Sequence, residues 1–600
     1  MSFGKDDFQD ISECLIPERE YEIDLALGTT YSADFKMVLF LLYRILGYSG
    51  NGDAEDNPVQ VRESQLMKSF LSLRDKVRII YHPGHYSVHD KSGIACFLDE
   101  ILREYPTHGN FSFHPKTLFL RFKRSGKAEY EYRMIVLSRN FTENISMDVF
   151  FAAKLVPDVN GADEIHHFLK QMASILPNRD QKKYLELAKE LKGCSIIPLG
   201  DAKEVENPKF FWQNGMTELK TKVSSAWVGS NRLVIVSPFL DLKGLKAITE
   251  GYTGKTIVLV SERCTFDELN HDKDFVEYVE KQKISTYATR ADDGTPEMMT
   301  NLHAKMILSD RGKQGLDIVI GSANVTDRGF NKRNIEAVVH FKAPFSNLEQ
   351  IFLDEWIGGD DIDGFTIVEK YDLKYVYQAP RAKNFSEVVL DIVSKMHITI
   401  EYVVQGKSVI AQLQFHNLDK LDIPQGMVIE VSPLNSPNKK DLDINVSKVE
   451  FIFTEAKDYT CQYIFRFISL TGERSLEYIR TLDPCFDLLE SRKNHLITQT
   501  INKEGIFKQL ELLLKPVSFQ QKKNRKKGPP RGEGGSFSGL DFPVSLEELM
   551  LNCLKRPEVV KSIHEVFTIP IEGINEIERM KFEKLKILWS QMSGAFIEKA

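Results

Sequence analysis

"NLHAKMILSD" (301–310) and "GSANVTDRGFNKRNIEAVVHF" (321–341) are the stretches on which the reading of this chain turns. Residues 302–308 read as an apolar strand, which puts His303 and Lys305 on one face because side chains repeat every second residue. "LDIVIGS" (316–322) reads as a second apolar strand ending in a Gly-Ser turn. If these strands pair, Asn324 comes to lie beside His303 and Lys305. A nucleophile or acid, a fixed positive charge and an amide donor then share one place, a set that suits a phosphate better than a carbonyl or a metal.

The same order occurs earlier in the chain. "YEIDLALGTTYSADFKMVLFLLYRIL" (21–46) reads as strand, polar turn and helix, as does "NRLVIVSPFLDLKGLKAI" (231–248). "FSFHPKTLFL" (111–120) then carries His114 and Lys116, and "YRMIVLSRNFTENISMDVFF" (132–151) is a strand with a Ser turn, Asn140 and Asp148. The second copy continues through Ser322 and Asn324 to Glu336. From His to the acidic residue is 34 positions in the first copy and 33 in the second; from His to Asn the spacings are 26 and 21. Such agreement implies an internal duplication of two similar α/β lobes with mixed sheets flanked by helices, at 1–200 and 201–380.

Six hundred residues exceed one core, and 42% hydrophobic with 27% charged residues describe an ordinary globular chain. Net charge is −7, so any polyanion contact must come from local patches. Cys14, Cys96, Cys194, Cys264, Cys461, Cys485 and Cys553 form no C-x-x-C pair, which fits a reducing compartment. The polar start "MSFGKDDFQDISE" is no signal peptide, and the longest apolar run, Met37–Leu46, is too short for a bilayer, so a cytoplasmic chain without stable membrane insertion is expected. Short alternating strands after 385 predict a β-sandwich-like accessory domain over 385–500. Residues 516–542 read as a flexible basic linker and 543–600 as a helical segment opened by a Ser545/Glu548 capping box. His82, His85 and His89 have spacing that could hold a metal, but the segment reads as strand exit and loop without nearby Cys, so no metal or cofactor is expected.

Two H-x-K motifs, each followed by Ser-x-Asn at the end of an apolar strand, resemble the phospholipase D superfamily. "HAKMILSD" has that family's H-x-K-x4-D spacing. In the first copy Arg121 stands where Asp310 stands in the second, and "SRN" replaces "GSxN"; a pattern lacking the Asp is similar to the tyrosyl-DNA phosphodiesterase branch. The resemblance covers residues 20–345. It implies a phosphohistidine intermediate with His114 as nucleophile and His303 as acid, and a structural role for Asp310.

Elementary chemistry asks for the same parts. Cleaving a phosphodiester without a metal needs a nucleophile, a proton donor for the leaving oxygen and fixed charge on the equatorial oxygens. Two His, two Lys and two Asn supply them, with Asp148 and Glu336 to orient the rings and Ser322 in the turn beside them. Basic residues flank both motifs: Arg121, Lys123, Arg124, Lys127 and Arg133 near the first, Arg328, Lys332 and Arg333 near the second. With the linker's Lys522, Lys523, Arg525, Lys526, Lys527 and Arg531 they favour a nucleic acid, DNA rather than RNA, as substrate. The expectation is thus a nuclease or DNA-end-processing phosphodiesterase in a defence or repair setting, with partner proteins met through the β domain or C-terminal helices. The rivals are a phospholipase or transphosphatidylase at a membrane surface, and a non-catalytic nucleic-acid-binding subunit.

Overall fold

The computed structural model describes residues 11–46, 73–88, 98–106, 111–289, 301–343, 368–378 and 384–495, with short interruptions, and the helix Glu576–Ile597 with His564 and Phe567. The basic run 522–531, the Ser545/Glu548 pair, His89, Lys332 and Arg333 lie outside the described residues.

The chain is mixed α/β. A first sheet runs in the order Ser195–Pro198, Phe150–Val156, Tyr130–Leu137, Thr117–Arg124, Tyr21–Thr29, Val77–Tyr81, Leu102–Glu104. A second runs Glu206–Asn214, Asn334–Ala343, Leu316–Gly321, Met306–Asp310, Arg232–Val236, Thr256–Ser261, Ser285–Thr289, with Val368–Lys370 added at its edge. The first seven positions match in order and in direction: four antiparallel steps, then two parallel ones. Thr29 lies opposite Thr117 as Val236 lies opposite Met306, and Thr117 opposite Val136 as Met306 opposite Ile320.

Alternation along the strands decides which layer each face serves. Val234 and Val236 join Leu25, Leu27, Phe119, Met134, Leu308 and Ile320 in one core between the two sheets. Their neighbours Leu233 and Ile235 face the outer helices with Leu259 and Ile307. Each fully buried side chain of this kind stabilises the fold by about 1.5–3 kcal/mol. Helix Phe35–Ile45 buries Phe35, Val38, Leu41, Leu42 and Ile45, a helical stripe, and starts where Asp34 accepts the Met37 amide at 2.7 Å. Helix Leu242–Thr249 starts likewise at Asp241, which accepts the Gly244 amide at 2.7 Å. Gly244 is required there because a Cβ would come within 2.4 Å of the Thr326 backbone. Both caps hold a turn as well: Asp34 accepts the amide of Glu143, and Asp241 that of Asp327.

Two expectations need correction. The strand expected over 302–308 is Met306–Asp310, and 111–120 divides into Ser112–Phe113 and Thr117–Arg124. The reactive triplets 114–116 and 303–305 are extended segments ahead of their strands, because their backbone groups pair elsewhere. Ser112–Phe113 runs parallel to Asn334–Ile335 of the second sheet, and Met147 of the first half bridges Leu302.

Beyond residue 384, Ile398–Gln405, Ser408–Phe415 and Lys448–Phe453 form a three-stranded sheet. It shares one core with Val428–Pro433 and Gln462–Ile468 of a six-stranded sheet. That six-stranded sheet also contains Ala33–Asp34 and Tyr86–Ser87 from the N-terminal half, paired alongside Ser475–Thr481. Arg492 pairs with Asp99 at 3.0 Å and Arg480 with Glu104 at 2.8 Å; Asp99, Arg480 and Arg492 are buried. The β-rich segment is therefore welded to the first half. Phe582, Leu585 and Trp589 of the C-terminal helix pack into the core of the first sheet's outer face.

Candidate active site

Register places the repeated motif residues at matching points. His114 and His303 each stand three residues before the paired positions Thr117 and Met306. Ser138 and Ser322 stand two after Val136 and Ile320, and Asp148 and Glu336 two before Phe150 and Val338. The backbone then carries each histidine to the opposite sheet. The His114 amide donates to the Ile335 carbonyl at 3.0 Å, and the His303 amide to Met147 at 2.9 Å. Each histidine backbone therefore lies beside the segment of the other copy that carries its acidic residue.

On one side the contact closes. Glu336 is fully buried, and His114 Nδ1 donates to its Oε2 at 3.0 Å. Ser322 Oγ donates to the same oxygen, and Asn334 Nδ2 to Oε1 at 2.9 Å. Burial pushes Glu336 upward, but His114, Lys116 and Ser322 outweigh it and hold the carboxyl below the usual range. Since the carboxylate fixes the proton on Nδ1, His114 Nε2 keeps its lone pair. Burial lowers His114 itself, Glu336 partly opposing and Lys116 and Lys305 assisting. Lys116 Nζ lies 3.1 Å from Nε2 and donates to the His114 carbonyl at 3.0 Å.

The other side stays open. Asp148 accepts from Ser138 and Ser146 at 3.2 and 2.8 Å and is paired with Arg139 at 3.5 Å. His303 Nδ1 instead faces Lys305 Nζ at 3.5 Å, while Lys305 donates to the His303 carbonyl at 2.8 Å. Burial, then Lys305, Lys116, Arg139 and His114 depress His303 to about 3. An ammonium beside Nδ1 favours the tautomer with the proton on Nε2. The surrounding charges thus favour opposite tautomers for the two imidazoles.

Lys116 and Lys305 are buried. Burial and then Lys305 drive Lys116 well down; burial lowers Lys305 to about 8, with Asp148, Glu336 and Glu262 opposing. These mutual influences across the two copies mean that both H-x-K pairs lie in one electrostatic field. Asn140 and Asn324, in matching turns, each have a buried Oδ1 without a partner among the described residues. The Phe141 amide donates to Thr30 Oγ1 and the Val325 amide to Ser237 Oγ, at 3.1 and 3.0 Å, which fixes the residue after each Asn.

Asp310 lies at the far end of its strand, where Oδ1 accepts the Gly312 amide at 2.6 Å, away from the imidazoles. The basic residues expected near the first motif are mostly spent on internal ion pairs. Arg121 pairs with Asp24 and Glu190, Arg124 with Glu20 and Glu129, and Arg133 with Glu131. Arg328 is exposed beside the Asn324 turn. Among the described residues no cluster of His, Cys, Asp and Glu has the make-up of a metal site, and no helix is long and apolar enough to cross a membrane.

Sequence reading missed Tyr31, Arg139, Asn334 and Glu262. The Tyr31 ring lies 5.1 Å from that of His114, 4.2 Å from His85 and, stacked, 5.0 Å from His82. Its position after the strand "DLALGTT" was the only available signal.

No protein-family model matches the sequence, and no curated protein matches it. Among solved structures, polyphosphate kinase from Porphyromonas gingivalis is similar at 11% identity over 57% of this chain, with a TM-score of 0.32. The match spans 43% of the kinase chain, under half its length. Nuc, a phospholipase D family member from Salmonella typhimurium, is similar at 16% identity over 24% of this chain and 90% of that one, with a TM-score of 0.19. At these scores neither likeness bears on activity.

Proposed function

We propose that this chain is a phospholipase D-like phosphodiesterase with two similar lobes, 1–200 and 201–380, that cleaves nucleic acid through a covalent phosphohistidine and without a divalent metal. The observation that carries this is the unequal pair of histidines. His114 is oriented by Glu336 with its Nε2 lone pair retained, whereas among the described residues no carboxylate bonds the His303 ring.

His114 Nε2 attacks phosphorus, and the bond to the leaving oxygen breaks as His303 gives that oxygen a proton. His303 then takes a proton from water, whose oxygen attacks phosphorus and breaks the P–N bond, regenerating His114. Lys116 and Lys305 hold the non-bridging oxygens, with the Asn140 and Asn324 amides beside them. In the free protein His303 is neutral. The charges that depress it, after burial itself, are Lys305 and Lys116, and a bound phosphate monoanion offsets both, which prepares the acid only when substrate is present.

Nucleic acid as the substrate rests on exposed Arg328 and on the basic run Lys522–Arg531. The test is cleavage of single- and double-stranded DNA, RNA and a short-chain phospholipid in EDTA. Nucleic-acid cleavage in EDTA supports the proposal. Loss of cleavage in EDTA with restoration by Mg²⁺ overturns the mechanism, and turnover of the lipid alone overturns the substrate.

A further inference from the structure

What holds the two reactive segments, given that neither lies in a strand? The amide of each histidine is fixed by the opposite sheet. The amide just before it is fixed by its own sheet, through a side chain. Phe113 N donates to His82 Nδ1 at 3.2 Å, and Leu302 N donates to Glu262 Oε1 at 3.1 Å. These two acceptors occupy the same point of the duplication. Ile80 lies opposite Thr29 and Val260 opposite Val236, and His82 and Glu262 each follow two residues later. Two successive amides per histidine are thus tied one to each half of the duplication, where the halves meet.

We propose that His82 and Glu262 are matched positioning residues for His114 and His303, and that their difference in charge keeps the two halves in different roles; this rests on the phosphodiesterase reading above. On the nucleophile side a carboxylate already binds His114. A second anion there would favour the imidazolium and mask the attacking lone pair, so a neutral acceptor fits. Burial, with His85, His114 and Arg480 adding to it, keeps His82 unprotonated and able to accept. Tyr31 stacks on His82 and packs its ring against His114. On the other side a charged acceptor fits, because the group to be sustained is the ammonium of Lys305. Glu262 acts there together with Asp148 and Glu336, against burial. The second Glu262 oxygen accepts from Cys264 Sγ at 3.4 Å.

Four variants separate the acceptor from its charge. His82→Leu removes the acceptor and His82→Asn restores one; Glu262→Ala removes acceptor and charge, and Glu262→Gln removes only the charge. Hydrogen exchange of peptides spanning 111–116 and 300–305 reads the geometry without reference to activity. Exchange should accelerate at least about tenfold in His82→Leu and Glu262→Ala at the respective peptide, and return most of the way in His82→Asn and Glu262→Gln. In the activity profile, kcat should fall about tenfold or more in His82→Leu with KM little changed, recovering in His82→Asn. Glu262→Gln should instead move the alkaline limb to lower pH. Unchanged exchange in both His82→Leu and Glu262→Ala overturns the proposal. If His82→Leu fails to fold, Glu262→Ala against Glu262→Gln decides. Exchange behaving as described in a chain that cleaves no phosphodiester keeps the positioning and overturns the phosphodiesterase reading instead.

Discussion

The half that carries His114 and the half that carries His303 share strand order, register, capping aspartates and turn chemistry, yet they differ at three side chains around the reactive rings. Glu336 reaches His114, whereas Asp148, one methylene shorter, is held by Ser138, Ser146 and Arg139. Position 139 is Arg in one copy and Ala323 in the other. His82 stands where Glu262 stands. Duplication supplies two of everything, and in the reaction proposed above these differences make one half the nucleophile and the other the acid. Symmetry of backbone with asymmetry of charge is a general way to assign opposite proton roles to identical residue types.

The largest effect expected breaks the comparison outright. His114→Ala and His303→Ala should each lower kcat/KM by about 10³-fold or more, several kcal/mol of transition-state stabilisation. Only His303→Ala should leave a labelled, acid-labile phosphoprotein, because breakdown of the intermediate needs that residue. Labelling in His114→Ala instead would exchange the roles. Next, Glu336→Gln should cost about 10–100-fold in kcat, the usual range for a carboxylate that orients a reactive histidine. Asp148→Asn should cost only a few-fold, and equal losses would restore the symmetry denied here. On the alkaline side, Lys305 loses its proton at about 8 in the free protein, so kcat/KM should fall above that pH, and Lys305→Arg should move this limb upward.

A smaller effect concerns stability. His82, His85, His114 and His303 are all held below the ordinary histidine value, His85 to about 4 and His303 to about 3, in each case chiefly by burial. In the unfolded chain they take up protons near 6.5; in the folded chain each does so only at lower pH. The unfolded state therefore binds more protons across this window, and stability falls as pH drops from about 7 toward 4. Melting temperature measured from pH 7.5 to 5 should decline, and less steeply in His85→Asn. The smallest effect is expected at Asp310→Asn, with activity within about threefold of the parent, since Asp310 caps a hairpin and meets neither ring.

The motif spacing made the duplication legible because a repeated backbone must repeat its register. His114, Lys116, His303, Lys305 and the two Asn turns were readable for that reason. Which acidic residue would reach which ring was not readable. It depends on one methylene at position 148 and on the partner chosen by Arg139. Nor did the strand pattern reveal that triplets 114–116 and 303–305 stand outside their strands, since an apolar alternation continues through segments that pair with another sheet. The arginines of 121–133 illustrate a different limit. A run of positive charge looks like a polyanion patch until the carboxylates brought to it by distant residues are known.

The union of the first half with the β-rich segment has a kinetic consequence. Tyr81 donates to Thr481, Arg492 to Asp99 and Arg74 to Glu490, contacts that span 400, 393 and 416 positions. The buried carboxylate of Asp99 is paired with Arg492, 393 positions later in the chain. During synthesis nearly 400 residues must follow before Tyr86–Ser87 can meet its partner strand Ser475–Thr481 and Asp99 its partner Arg492. At about 5–20 residues per second that wait lasts on the order of 20–80 s. The nascent chain is thus long exposed to mispairing at Tyr86–Ser87, and truncation before residue 475 should yield an insoluble first half.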